Sequence, residues 1–266
     1  MKNIEKLFDL MWEDYIKMNP QAQKIVDLLE AKGEKVVNDH IALRTYNIDR
    51  VSIDEIAKPF LEAGYEEKGT YDFEAKKLFA KHFEFPGNKL PKVFISELLI
   101  ENFSEKAQTI MREKIAQLSD EQIADPEFMV SGKGWEISSR EYELLASESE
   151  YAAWVAAIGF RPNHFTVFIN DLKNFNDVPE LNTFLKENGF KLNDSGGEVK
   201  GSKEVCLEQS STLADSIEAE FSDKKMKIAS CYFEFAKRYP LESGDLYQGF
   251  VANSADKIFE STNRTQ

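Results

Sequence analysis

Two short runs, "HIALRTY" from His40 and "HFTVFIN" from His164, constrain this chain more than any other feature. Each opens on a histidine, and the whole sequence holds only 3. Each is apolar and β-branched, which predicts a strand. A helical segment follows each run and ends near a glycine: Gly64, 24 residues after His40, and Gly189, 25 residues after His164. "FLEAGYE" and "FLKENGFK" are the matching helix ends. Strand-like runs come next: "TYDFEA", "KLFAKHFEF" and "KVFISELLI" in the first case, "EVKGSKEVCLEQSS", "SIEAEFS" and "KIASCYFEFAKRY" in the second. The chain reads as a repeated βαβββ unit. Glu97 and Glu234 fall on the last strand of their units, 57 and 70 residues after the opening histidine. Longer hairpins in the second unit would absorb that difference.

The remainder arranges itself around the repeat. Residues 1–35 predict two helices separated by Asn19-Pro20, with Gly33 after the second. Residues 36–100 form the first unit, 101–160 an amphipathic helical insertion, 161–240 the second unit and 241–266 a tail closing the site, all in one compact α+β domain. Ser52 and Glu55 have capping-box spacing and predict the start of the first unit's helix. "SSREYELLASESEYAAWVAAIG" reads as one helix stopped by Gly159. Trp12, Trp135 and Trp154 are expected in the core.

Charge narrows the function classes. With 47 acidic against 33 basic residues, the net charge is -14. Such a surface repels phosphate backbones, so no nucleic-acid partner is expected. An anionic substrate would need a local cation, either a metal or a buried arginine. No run approaches the ~20 apolar residues of a membrane span, and the charged N-terminus lacks a signal-peptide core. Cys206 and Cys231 form no close pair of the kind metal or redox motifs use; they read as free thiols in a reducing cytoplasm.

Paired βαβββ units with a histidine opening each first strand resemble the vicinal oxygen chelate superfamily, in which such units curve into a half-barrel. More closely, the chain resembles the 2-oxoadipate dioxygenase/decarboxylase (hydroxyglutarate synthase) family. The resemblance rests on "NDHIALRTY", "NHFTVFIN", "YFEFAKR" and the tail "YQGFVANSADKIFEST", and it covers most of the chain, the helical insertion included. It implies Fe(2+) held by His40, His164 and Glu234. Two imidazoles and one carboxylate suit non-haem iron that must accept a bidentate substrate and dioxygen together. It also implies a substrate-binding arginine at Arg44 and a substrate-contacting serine at Ser254. Arg44 lies four residues from His40, hence on the same face of a regular strand, with Cα atoms ~13 Å apart. Ser254 reads equally well as a helix N-cap before "ADKIFE". The chain departs from longer relatives in placing Asn253 where they carry an apolar residue, and in a shorter stretch between Glu234 and Ser254. The implied reaction takes a 2-oxo diacid, 2-oxoadipate above all, and dioxygen to 2-hydroxyglutarate and carbon dioxide.

Two alternatives stay open at this level. If Glu97 also faces the cleft, the ligand set becomes two histidines and two glutamates, as in glyoxalase-like isomerases and hydrolases that need no oxygen. The same fold without turnover would be a small-ligand-binding module. His82 in "FAKHFEF" has no counterpart in the second unit and reads as structural or as a support to the ligands.

Overall fold

Strand β1, Asn38–Tyr46, is buried at every position after its first residue. A strand covered on both faces belongs in the middle of a sheet, and β1 lies there in the computed structural model, which describes residues 2–87, 90–252 and 257–262. The first unit continues with helix α3 (Ile53–Glu62) and strands β2 (Glu66–Phe73), β3 (Leu78–Glu84) and β4 (Lys92–Leu98). The second holds β5 (Pro162–Phe168), α8 (Val178–Glu187), β6 (Lys200–Ser202), β7 (Leu207–Ser211) and β10 (Tyr232–Arg238). These form one eight-stranded sheet in the order β2-β3-β4-β1-β5-β10-β7-β6. In both units the first strand runs parallel to the last, β1 with β4 and β5 with β10. The units meet through β1 and β5, which pair antiparallel. This is the expected pair of βαβββ units, related across the central strand pair.

The outer face is covered by helices. Helices α1 (Lys2–Met18) and α2 (Pro20–Ala31) break at Asn19-Pro20, as expected. Trp12 and Tyr15 of α1 meet Phe165 of β5 and Phe233 of β10. Phe60 of α3 stacks on Phe8 of α1. Trp135 and Trp154 are buried, and Trp12 packs against the core from a half-buried position. The insertion supplies α4 (Glu105–Ala116), α5 (Asp120–Ile123), α6 (Ser139–Glu148) and α7 (Glu150–Ile158).

Four local expectations need correction. Ser52 and Glu55 form no capping box: the Ser52 side chain makes no cap bond to the helix, and the Glu97 carboxylate accepts from Ile53 N at 2.9 Å instead. The helix read across residues 138–159 breaks at Ser149, whose hydroxyl caps α7 by accepting from Ala152 N. "EVKGSKEVCLEQSS" is a hairpin of β6 and β7 rather than one strand, with Cys206 at φ +58 in its turn. "SIEAEFS" does not join the main sheet: β8 (Ser216–Glu220) pairs with β9 (Lys225–Ala229) as a separate ribbon between β7 and β10. That ribbon packs on the insertion through Phe221 against Tyr142 and Asp223 against Ser139. It accounts for the longer spacing in the second unit. No described helix is long and apolar enough to cross a membrane.

Candidate metal centre

Three neighbouring strands bring the sequence's candidate ligands together. His40 sits on β1, His164 on β5 and Glu234 on β10. Register places them: Thr166 pairs with both His40 and Glu234, and His164 pairs with Tyr232, two residues before Glu234. His164 Nε2 lies 3.2 Å from Glu234 Oε2, and His40 Nε2 lies 3.5 Å from Glu234 Oε1. The three ligating atoms lie within 4.8 Å of one another, and among the described residues they are the one such group of histidine, cysteine and acidic side chains. All three residues are at most 5% exposed.

The surroundings set the chemical state of each ligand. Asp39 Oδ1 lies 2.7 Å from His40 Nδ1. A carboxylate accepts only, so the ring proton sits on Nδ1 and the Nε2 lone pair faces the site. Asn163 Oδ1 stands in the same relation to His164 Nδ1, at 3.2 Å. Burial pushes both imidazoles below the ordinary histidine pKa, His164 well below it. They are therefore neutral and able to donate lone pairs. Burial would raise the Asp39 carboxyl, but the Arg238 guanidinium holds it well below the usual range, through bonds of 2.6 and 2.8 Å. Arg238 also donates to the carbonyls of Tyr247 and Gly249 and lies over Phe250, whose ring meets His40 edge-on at 4.8 Å. One arginine thus ties a ligand's support to the start of the tail.

Glu234 is the strained member. Burial pushes its carboxyl up to about 8, against the hydrogen bond from Gln209 Nε2 at 2.5 Å. No arginine or lysine side chain is paired with it among the described residues. A buried carboxylate facing two neutral imidazoles lacks a positive partner, and a divalent cation supplies one. The donor set therefore fits a metal. Two nitrogen donors and one carboxylate are also the set used by non-haem ferrous oxygenases.

Arg44 is 1% exposed and projects into the same half-barrel. Its guanidinium lies over the rings of Tyr151, Trp154 and Phe259. It pairs with Glu150 at 3.3 Å and donates to Thr262 Oγ1 at 3.2 Å, both long for charge-assisted bonds. Arg44 Nε has no acceptor. The residues around this end come from the insertion and the tail, so the half-barrel is closed over Arg44 by segments distant in sequence. Ser254 lies outside the described residues.

Glu97 does not join the triad. It is half-buried, and its carboxylate receives Ile53 N at the start of α3, on the helical side of the sheet. His82 bonds to Tyr71 Oη and Glu84 Oε1, each at 2.9 Å, and its ring meets Phe250. It braces the ring that covers His40 and is not part of the triad. Asp39, Asn163, Arg238, Gln209 and Tyr232 were not singled out from sequence. Adjacency to the two histidines could have flagged Asp39 and Asn163; nothing local marks Gln209 or Arg238.

Comparison with known proteins identifies the family to which this fold belongs. The profile of the 2-oxoadipate dioxygenase/decarboxylase family matches residues 2–133 and 127–248. A chloroplastic 2-oxoadipate dioxygenase/decarboxylase of Arabidopsis thaliana is 37% identical over 95% of this chain and 75% of its own length. The crystal structure of hydroxyglutarate synthase from Oryza sativa in complex with 2-oxoadipate superposes with a TM-score of 0.91 at 33% identity, covering 99% of this chain and 93% of that one. A Shewanella frigidimarina protein, described as a candidate hydrolase, superposes with a TM-score of 0.90 at 53% identity, covering 94% and 98%. The chain belongs to the 2-oxoadipate dioxygenase/decarboxylase family of enzymes.

Proposed function

We propose that this protein is an iron(II)-dependent dioxygenase/decarboxylase that converts a 2-oxo diacid, 2-oxoadipate, to 2-hydroxyglutarate and carbon dioxide in the cytoplasm. The observation that carries the reading is the buried triad of His40, His164 and Glu234, with donor atoms within 4.8 Å of one another. Ferrous iron, when bound, supplies the electrons that activate dioxygen and a positive charge that chelates the 2-oxo acid. His40 and His164 offer neutral Nε2 atoms, oriented by Asp39 and Asn163. Glu234 offers the anionic oxygen and gives up its proton as the cation enters. Phe250, His82 and Tyr71 cover the His40 side and exclude water. Arg44 orients the far end of the substrate, which is where a diacid carries its second negative charge.

The four-ligand isomerase or hydrolase reading loses its support, because Glu97 caps a helix on the other side of the sheet. The oxygenase reading requires one dioxygen consumed and one carbon dioxide released per 2-hydroxyglutarate, with no second 2-oxo acid as cosubstrate. The test is anaerobic reconstitution with ferrous iron, followed by oxygen uptake across a panel of 2-oxo acids. Product formed at an unchanged rate without oxygen would sink the assignment.

A further inference from the structure

Glu150 opens α7, and its carboxylate is the counter-charge of Arg44. The pair is unequal. The Arg44 side chain is 1% exposed and that of Glu150 25%. The guanidinium is boxed in by the rings of Tyr151, Trp154 and Phe259, and the carboxylate reaches it from the solvent side. Glu150 has no such confinement. Among the described residues its carboxylate accepts one hydrogen bond, from Arg44 Nη1 at 3.3 Å. That is longer than the ~2.7–2.9 Å of a strong charge-assisted bond.

A cavity of about 240 Å³ adjoins the pair. Glu150, Tyr151 and Phe259 line it where it meets the surroundings of Arg44, and Lys76, Lys77 and Glu260 line it as well. A guanidinium buried without a counter-charge is costly, so the protein without substrate needs Glu150 where it stands. A second carboxylate brought to the same guanidinium changes the balance, because like charges at close quarters repel. Glu150 is then the group with room to leave, into a cavity that water reaches and that two lysines help to line.

We propose that Glu150 is a displaceable stand-in on Arg44, a specificity-determining residue that an incoming anion must outcompete. This rests on the proposed function, in which the far end of a 2-oxo diacid is directed at Arg44. An anion held by nothing but Arg44 gains little by evicting Glu150, since one carboxylate merely replaces another. A 2-oxo diacid is already held at its other end by the metal, so its second carboxylate competes as a tethered group at high effective concentration. Glu150 thus shields Arg44 from singly anchored anions and lowers the affinity of the diacid by a fixed factor. A 2-oxo monoacid brings no second carboxylate and leaves Glu150 in place.

The test compares the wild type with Glu150→Gln, which keeps the length of the side chain and removes its charge. Affinities of the ferrous protein for 2-oxoadipate and 2-oxohexanoate are measured by calorimetry without oxygen. The variant should bind 2-oxoadipate about tenfold more tightly, with 2-oxohexanoate changed by less than about twofold. Unchanged or weaker binding of 2-oxoadipate, or equal tightening of both acids, overturns the inference and leaves the proposed function standing. A second measurement needs no variant. In a crystal structure of the wild type with ferrous iron and 2-oxoadipate, grown without oxygen, the Glu150 carboxylate should stand beyond about 4 Å from the Arg44 guanidinium, outside ion-pair range. A contact kept at its present length overturns the inference as well. Wild-type protein that binds iron but neither acid overturns the proposed function itself, and the inference with it.

Discussion

At the residue scale, the ligands differ from their sequence neighbours in what supports them. Glu234→Gln should lower iron content after reconstitution by more than tenfold, measured by metal analysis of desalted protein. Glu97→Gln should keep the wild-type content, since that side chain caps α3 and does not reach the triad. Equal loss in the two variants would restore a four-ligand site. Asp39 has a double role, orienting His40 and balancing Arg238 with both side chains 1% exposed. Asp39→Asn should weaken metal affinity about 10- to 100-fold by loosening the ligand's orientation. It should also destabilise the fold by about 3–5 kcal/mol, because Arg238 is left buried without its counter-charge. Denaturant melts and metal titration separate the two effects. Asp39 stands beside His40 in the sequence, yet its tie to Arg238 spans 199 positions and only folding reveals it.

At the element scale, connections decide whether the strands meet in register. Gly159 joins α7 to β5 with φ +88, and a Cβ there would stand 2.5 Å from the backbone oxygen of Gly132. At ψ -157 this is backbone that essentially only glycine adopts, so Gly159→Ala should cost more than the ~1–3 kcal/mol of that conformation alone, because backbone cannot yield as a flexible side chain does. A thermal melt within one degree of wild type would contradict this. Ser149 illustrates what periodicity misses. The apolar pattern runs on through residues 138–159, but the hydroxyl of Ser149 starts a new helix and swings Tyr151 and Trp154 onto Arg44. The β8–β9 ribbon is a similar case: its alternation is genuine strand pattern, but its apolar face, Ile217, Ala219, Met226 and Ile228, packs against the core outside the main sheet.

At the scale of the whole molecule, Arg44 gathers three separate parts of the chain. It belongs to the first unit, is flanked by Glu150, Tyr151 and Trp154 of the insertion, and touches Phe259 and Thr262 of the tail. The insertion and tail therefore wall in Arg44. Losing a buried charge-assisted contact costs roughly 2–5 kcal/mol. Arg44→Ala should accordingly cut 2-oxoadipate turnover about 10- to 1000-fold while iron stays bound. A variant using monoacid and diacid substrates in the wild-type ratio would remove Arg44 from the substrate site.

The sequence by itself determined the repeat and the strand identity of its opening runs, while the three side chains that meet at the centre were named through the resemblance to a known family. The repeat and the strands follow from local periodicity and residue type, which act over a few positions and survive without knowledge of the fold. Tertiary structure alone decided between Glu97 and Glu234. Both lie on the last strand of a βαβββ unit, Glu97 near the end of β4 and Glu234 near the start of β10, and their carboxylates leave opposite faces of the sheet. It also decided that Ile53 N would take Glu97 as its cap in place of Ser52, and that Gln209 would hold Glu234. Those outcomes depend on strand register and on contacts between residues far apart in the chain, where a shift of one position turns a ligand into a helix cap.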